Sequence, residues 1–308
     1  MTDTPTILDL DRLGVRYGRT TVLRDVSLRI DPGEVVALIG RNGVGKSSIV
    51  RCLLGHQRPS SGSVRLFGDD VWRHRSRLMT RVGVVPEEPD APPAMTARQL
   101  AAFCKPLYPT FDRAAFDARL DRFGVPTATP FGKLSKGQKA QIHLALALAP
   151  QPDFLVLDDP TLGLDVVARR AVFEELVDEL ADLQTTVFLT SHDLPGVESL
   201  ASRVAVLSNG GLVLDEAVDE LKERHRHVEL PIDDDSAADA LIDAMSPLAE
   251  RHRGRRREVL VERFDPASYD RLVSRFGAER VATYAADLEE ILIATTDVGA
   301  GPERDSTR

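Results

Sequence analysis

Short apolar, β-branched runs recur along the first two-thirds of the chain, at Val35–Ile39, Val82–Val85, Phe154–Leu157, Val187–Leu189 and Val204–Leu207. Continuous runs of this length suit strands covered on both faces, as in a parallel sheet flanked by helices. Helical spacing lies between them, notably over Lys139–Ala149 and Ala168–Leu180. Ile7–Tyr17 and Thr21–Ile30 alternate as antiparallel strands do, and Gly62–Gly68 reads as a further short strand. The predicted core is α/β, a mixed sheet with an antiparallel edge.

Other segments break this rhythm. Pro86–Pro93 is proline-rich and reads as an exposed, irregular connection. From Thr96 to about Phe123, interrupted around Pro106–Pro109, runs a helical pattern with its own apolar face of Leu100, Phe103, Leu107, Phe111, Phe116 and Leu120. It predicts a helical subdomain inserted over about residues 88–150 of a main domain spanning 1–218. Beyond Gly210-Gly211 come strand Val228–Ile232, helix Ala237–Leu248, strand Glu258–Phe264, helix Pro266–Phe276 and strand Arg280–Ala285. This βαβαβ order, closed by amphipathic Leu288–Ala294, predicts a small α+β module over 226–296, with 297–308 as a frayed tail.

Polar chemistry follows each buried run. Pro86-Glu87-Glu88 follows Val82–Val85, Asp158-Asp159 follows Phe154–Leu157, and Thr190-Ser191-His192 follows Val187–Leu189. The carboxyl ends of strands are where open α/β sheets bind ligands. After Val35–Ile39 comes Gly40-Arg41-Asn42-Gly43-Val44-Gly45-Lys46-Ser47-Ser48, a complete phosphate-binding loop leading into a helix. Its successive N–H groups and the positive helix end suit phosphates, Lys46 reaches the β- and γ-phosphates, and the Ser47 hydroxyl ligates Mg²⁺. The chain is expected to bind a nucleoside triphosphate.

Asp158, ending a strand that faces this loop, is the expected Mg²⁺ carboxylate. Asp159 reads either as the base that polarises the attacking water or as a solvated turn residue. His192 is placed to hydrogen-bond the γ-phosphate, or is an ordinary surface histidine. Ser191-His192-Asp193 is no hydrolase triad, because adjacent residues do not converge into a relay. Ser135 and Gln138 form an S-x-x-Q capping box at the start of a helix, which explains them structurally. A helix start bearing Ser and Gly is also an anion site, so the two roles can coexist.

Composition narrows the classes. A hydrophobic fraction of 43% suits a soluble globular protein, and no apolar run approaches the ~20 residues of a membrane span. The acidic, polar N-terminus does not read as a signal peptide, and two cysteines point to a reducing cytoplasm. A net charge of −9 argues against a nucleic-acid partner. The basic stretch Arg251–Arg257 is expected to be a solvated loop, with an anionic membrane surface as its other reading, and Asp233–Asp235 a turn.

Taken in order, the motifs between about Ile7 and Glu216 resemble those of the ATP-binding subunits of ABC transporters. GRNGVGKSS is similar to their Walker A, LSKGQ (Leu134–Gln138) to the signature, FLVLDD to Walker B, TLGLD (Thr161–Asp165) to the D-loop and TSH to the switch histidine. The resemblance implies a P-loop NTPase fold and a head-to-tail dimer binding two ATP with Mg²⁺. In such a dimer, Walker A of one copy faces Ser135, Lys136, Gly137 and Gln138 of the other. It also implies that Tyr17 stacks on adenine, that Asp165 aligns the two sites (otherwise it caps the helix from Val166), and that Glu87 senses Mg²⁺ and faces membrane subunits. The partners implied are a second ATPase subunit, identical or homologous, and integral membrane permeases, which places the chain on the inner face of the cell membrane.

Two positions depart from the family pattern. Glu87 stands where Gln is usual, and Asp159 where the catalytic Glu is usual. Losing a methylene withdraws the carboxylate by roughly an ångström, and misplacement on that scale can cost about a hundredfold, so slow turnover is expected. The segment DLEEILIA (Asp287–Ala294) resembles the closing motif of exporter-type subunits, and reads equally as an amphipathic helix. An exporter subunit is the first expectation; a non-transport ABC ATPase and a slow-hydrolysing regulatory switch are the alternatives. The single cassette and the short span from Lys46 to Ser135 weigh against tandem translation factors and coiled-coil repair ATPases.

Overall fold

The structure, a computed structural model, describes residues 6–183, 185–191, 194–232 and 236–297. The chain divides into two compact units, Met1–Asp215 and Glu216–Arg308.

The first unit opens with long strands β1 (Leu8–Tyr17) and β2 (Thr20–Ile30), then β3 (Val35–Ile39) and helix α1 (Lys46–Leu53). Strands β4 (Ser61–Leu66) and β5 (Asp69–Asp70), helix α2 (Val71–Leu78) and β6 (Val82–Val85) follow. Three helices come next, α3 (Ala97–Cys104), α4 (Arg113–Arg122) and α5 (Lys136–Leu148). The chain then alternates β7 (Phe154–Asp158), α6 (Val166–Leu183), β8 (Thr186–Thr190), α7 (Leu194–Leu200), β9 (Arg203–Ser208) and β10 (Gly211–Ala217).

The strands sort by their hydrophobic pattern. Alternating β1 and β2 join β4 and β5 in an antiparallel sheet of order β2-β1-β4-β5. The continuously apolar runs, with β10 added at one edge, form a second sheet, β10-β9-β3-β8-β7-β6, whose neighbours from β9 to β6 pair in parallel. One buried cluster unites the layers, with Leu10, Val26, Leu38, Ile49, Val156 and Phe188 among its members. Residues of α3, α4 and α5 build a separate cluster around Phe116, Leu120, Phe131 and Ile142.

Register matters most for function. Leu38 pairs with Thr190, Thr190 with Asp158, and Leu157 with Val85, so β3, β8, β7 and β6 end in one row. The loops that leave this row carry the polar residues singled out from sequence.

The second unit contains α8 (Val218–Arg224), β11 (Arg226–Pro231), α9 (Ser236–Ala244), β12 (Pro247–Arg253), β13 (Arg256–Val261), α10 (Pro266–Phe276), β14 (Ala282–Ala285) and α11 (Leu288–Asp297). Its sheet has the order β12-β13-β11-β14, and every pair in it is antiparallel. This is βαββαβ, one strand more than sequence predicted. The expected helix Ala237–Leu248 stops at Ala244 because Pro247 has no N–H to continue it, and the chain turns into β12 instead. The basic stretch Arg251–Arg257 is correspondingly a β-hairpin turning at Gly254-Arg255, with Arg253 opposite Arg256. Ion pairs to Glu290, Glu258, Glu229 and Asp239 occupy Arg251, Arg253, Arg256 and Arg257, which lets so charged a segment pair as a strand. Asp233–Asp235, expected as a turn, lies outside the described residues.

Candidate functional site

Strand β3 delivers Gly40–Gly45 to the end of the row, and α1 begins at Lys46. Gly45 occupies the cap position with φ 122°, and no side chain caps the helix. A β-carbon there would lie 2.5 Å from Leu23 Cδ2, so both the backbone twist and the close approach of β2 call for glycine. The opening N–H groups of a helix have no intrahelical partners, and here no cap side chain takes them; such a start is a ready anion site. Arg41, Asn42 and Gly43 are exposed around it, and Val44 N–H donates to Arg41 O at 3.3 Å.

Lys46 is 8% exposed, and its amine donates to the carbonyls of Gly40 at 2.6 Å and Arg41 at 3.3 Å. Burial pulls its pKa below the ordinary lysine value, while the charges of Asp159, Asp158 and Glu87 push it back up. Two strand ends, those of β7 and β6, thus bring three carboxylates into the field of one buried amine. Ser47 and Ser48 follow in the first turn of α1. Ser48 Oγ lies 3.3 Å from the Tyr17 hydroxyl, which also donates to Gln57 Oε1 at 2.6 Å. The bond to Ser48 leads the influences that lower the Tyr17 pKa. Its ring remains 43% exposed at the end of β1, open to a flat ligand beside the loop.

Asp158 and Asp159 behave differently. Asp158 ends β7 half-buried and accepts a hydrogen bond from Thr190 Oγ1 at 2.8 Å. Asp159 is 4% exposed and left-handed at φ 48°, a region that non-glycine residues rarely adopt and that aspartate tolerates better than most. A solvated turn residue is therefore not what the structure shows. Its N–H donates to both the carbonyl and the hydroxyl of Thr190, each at 3.0 Å. Sequence reasoning named Thr190 in the TSH segment but gave it no role of its own; the available signal was a hydroxyl residue closing an apolar strand. His192 lies outside the described residues.

The helix start at Ser135 is built in the opposite way. Ser135 Oγ accepts from Gln138 N–H at 3.2 Å, and Gln138 Oε1 accepts from Ser135 N–H at 3.0 Å, completing the capping box. Gly137 lets this first turn approach α6, since a β-carbon would fall 2.9 Å from Ala168 Cβ. Lys136 Nζ reaches over Gly163, and Asp165 Oδ1 accepts from Ala168 N–H at 2.8 Å, capping α6. Ser135–Gln138 and Thr161–Asp165 therefore form one neighbourhood within the chain. The hydrogen bonds of Ser135 and Gln138 stay inside the helix start, rather than extending to Lys46.

A glycine-begun helix behind the central strand, with an amine and three carboxylates at the strand ends, defines a P-loop nucleotide-binding architecture. The "ABC transporter" family model matches residues 23–162. Over 229 residues the chain is 31% identical to the ABC transporter ATP-binding protein YtrB of Bacillus subtilis, covering 74% of this chain and 78% of that protein. It is 31% identical over 303 residues to the Nod factor export ATP-binding protein I of Burkholderia pseudomallei, covering 94% of this chain and 96% of that one. A solved ATP-binding subunit of an ABC transporter superposes with a TM-score of 0.64 at 26% identity, over 71% of this chain and 93% of its own. The chain belongs to the ATP-binding subunits of ABC transporters. Among the described residues no helix is long and apolar enough to cross a membrane.

Proposed function

We propose that this subunit hydrolyses ATP to drive an exporter, working as a head-to-tail dimer on membrane-embedded permease subunits. The observation that carries this reading is the convergence of Asp158, Asp159 and Glu87 on Lys46 at an uncapped helix start. Lys46 and the loop N–H groups bind the β- and γ-phosphates, and Tyr17 lies under the adenine. Asp159 accepts a proton from water as its oxygen bonds the γ-phosphorus and the bond to the β–γ bridging oxygen breaks.

The donor set fits Mg²⁺. Ser47 and Asp158 offer hard oxygens, with Glu87 nearby, and such sites take one or two protein ligands plus substrate phosphates. Mg²⁺, when bound, neutralises charge on the phosphates.

The capping box at Ser135 and the D-loop neighbourhood supply the face for the second copy's ATP. Exposed Leu162, Val166 and Val167 beside Asp165 favour such an association, since apolar groups clustered at a surface mark contact sites. Export is favoured by the relative named for Nod factor export, because that likeness extends over the second unit as well. The shorter Asp159 favours slow turnover, so a regulatory nucleotide switch is the second reading.

Extraction of membranes with detergent tests the role. The chain should co-purify with a polytopic protein, and ATP should pair two ATPase subunits in a manner that Lys46→Ala abolishes. Recovery on ribosomes or DNA without any membrane protein would refute the transport reading. Asp159→Glu should accelerate a weak wild-type ATPase; a brisk wild-type rate that the change lowers would refute slow turnover.

A further inference from the structure

The end of β8 carries a group that the nucleotide site as described leaves unused. The middle members of the strand, Val187, Phe188 and Leu189, are apolar, and valine would suit position 190 equally as a buried β-former. Thr190 is 1% exposed, and a hydroxyl at such depth needs partners. Both partners belong to the acidic pair. The Asp159 N–H can only donate, so the hydroxyl accepts it at 3.0 Å. The hydroxyl's single proton is thereby committed to Asp158 Oδ1 at 2.8 Å.

We propose that Thr190 is a positioning residue for ATP hydrolysis: its hydroxyl locks Asp158 and Asp159 into one arrangement for cation binding and water activation. The inference rests on the ATPase reading above and deepens it. On the Asp158 side, tying down Oδ1 assigns Oδ2 to the cation. On the Asp159 side, the three-centre bond to Thr190 holds a backbone in the left-handed region that an unrestrained aspartate would leave. Neighbouring β3 enters the phosphate loop two residues beyond Leu38, the register partner of Thr190. One hydroxyl thus ties the carboxylate of Asp158 and the backbone of Asp159 to the same strand.

The full-length chain and its Thr190→Val, Thr190→Ser and Lys46→Ala variants test this. In Thr190→Val the kcat should fall by about ten- to a hundredfold, as for small misplacements of reacting groups, with the ATP KM little changed. Mn²⁺ affinity in the presence of a non-hydrolysable ATP analogue, read by electron paramagnetic resonance, should weaken about tenfold, as when a group orienting a metal ligand is removed. Thr190→Ser should restore both. If Thr190→Val does not fold, Thr190→Ala carries the same expectations. Unchanged kcat and Mn²⁺ affinity in Thr190→Val, while Lys46→Ala abolishes ATP binding, would overturn the lock and leave the ATPase reading standing. Normal ATP binding by Lys46→Ala would take down both.

Discussion

Two helix starts show how the same backbone chemistry is left open in one place and closed in another. At α1 the cap residue is Gly45, and no side chain takes the first N–H groups. At α5 the cap residue is Ser135, and with Gln138 it seals the opening turn by two reciprocal hydrogen bonds. Helix starts need partners for these groups, and side-chain caps are the usual supply. The α1 start is left open to a ligand, and in the function proposed above the buried amine beside it recruits the anion while the neighbouring carboxylates hold a cation. The α5 start is complete in a single copy. Its proposed part in a second copy's site therefore asks less of electrostatics and more of shape, with Gly137 letting the turn pack on α6 and Gly163 leaving room for Lys136.

The strongest way to break this contrast is to cap α1 badly. Gly45→Ala places a β-carbon 2.5 Å from a buried leucine on a backbone at φ 122°. We expect ATP affinity to fall by at least about a hundredfold, measured by isothermal titration, because the loop must shift by a substantial part of an ångström. Stability should drop by about 1–3 kcal/mol in denaturant unfolding. Retained affinity would show that the loop's curvature is not what binds phosphate.

A smaller effect is expected from opening α5. Ser135→Ala removes the cap, which typically costs about 1 kcal/mol, or about 2–4 °C in the melting temperature of a domain this size. ATP binding by the isolated chain should not change, whereas nucleotide-dependent pairing and turnover should weaken if Ser135 serves the partner's ATP. Loss of ATP affinity in the monomer would contradict the division between the two helix starts.

The layout of the candidate site was largely legible in sequence because it depends on local order. A strand's apolar run, the glycines behind it and the residue at its end are adjacent in the chain, so Lys46, Asp158 and the Ser135 capping box could be placed by spacing. Pairing between strands was not legible. Thr190 owes its role to lying beside Asp158 across β8 and β7, a register that spacing does not encode. The hairpin of β12 and β13 hid for a related reason. Its arginines read as a solvated loop until Glu258 across the hairpin, and Glu290, Glu229 and Asp239 farther off in sequence, supplied partners. Nor did motif order distinguish the buried, left-handed Asp159 from an exposed turn residue.

The smallest effect sharpens the contrast through pH. At α1 the proposed partner of the phosphates is Lys46, whose pKa burial holds below the usual lysine range. Bound triphosphate favours the charged amine, so its pKa is higher in the complex than in the unliganded chain. Affinity is then fully present below the unliganded pKa and is lost as pH rises through it. Nothing in the α5 cap titrates, because Ser135 and Gln138 are neutral in this range. Between pH 7.5 and pH 9.5 ATP affinity should therefore decline, with protons released as ATP is lost. Over the same interval the stability difference between the wild type and Ser135→Ala should stay constant. A flat affinity profile would mean that Lys46 keeps its proton through the whole interval, and that the carboxylates of Asp159, Asp158 and Glu87 outweigh its burial.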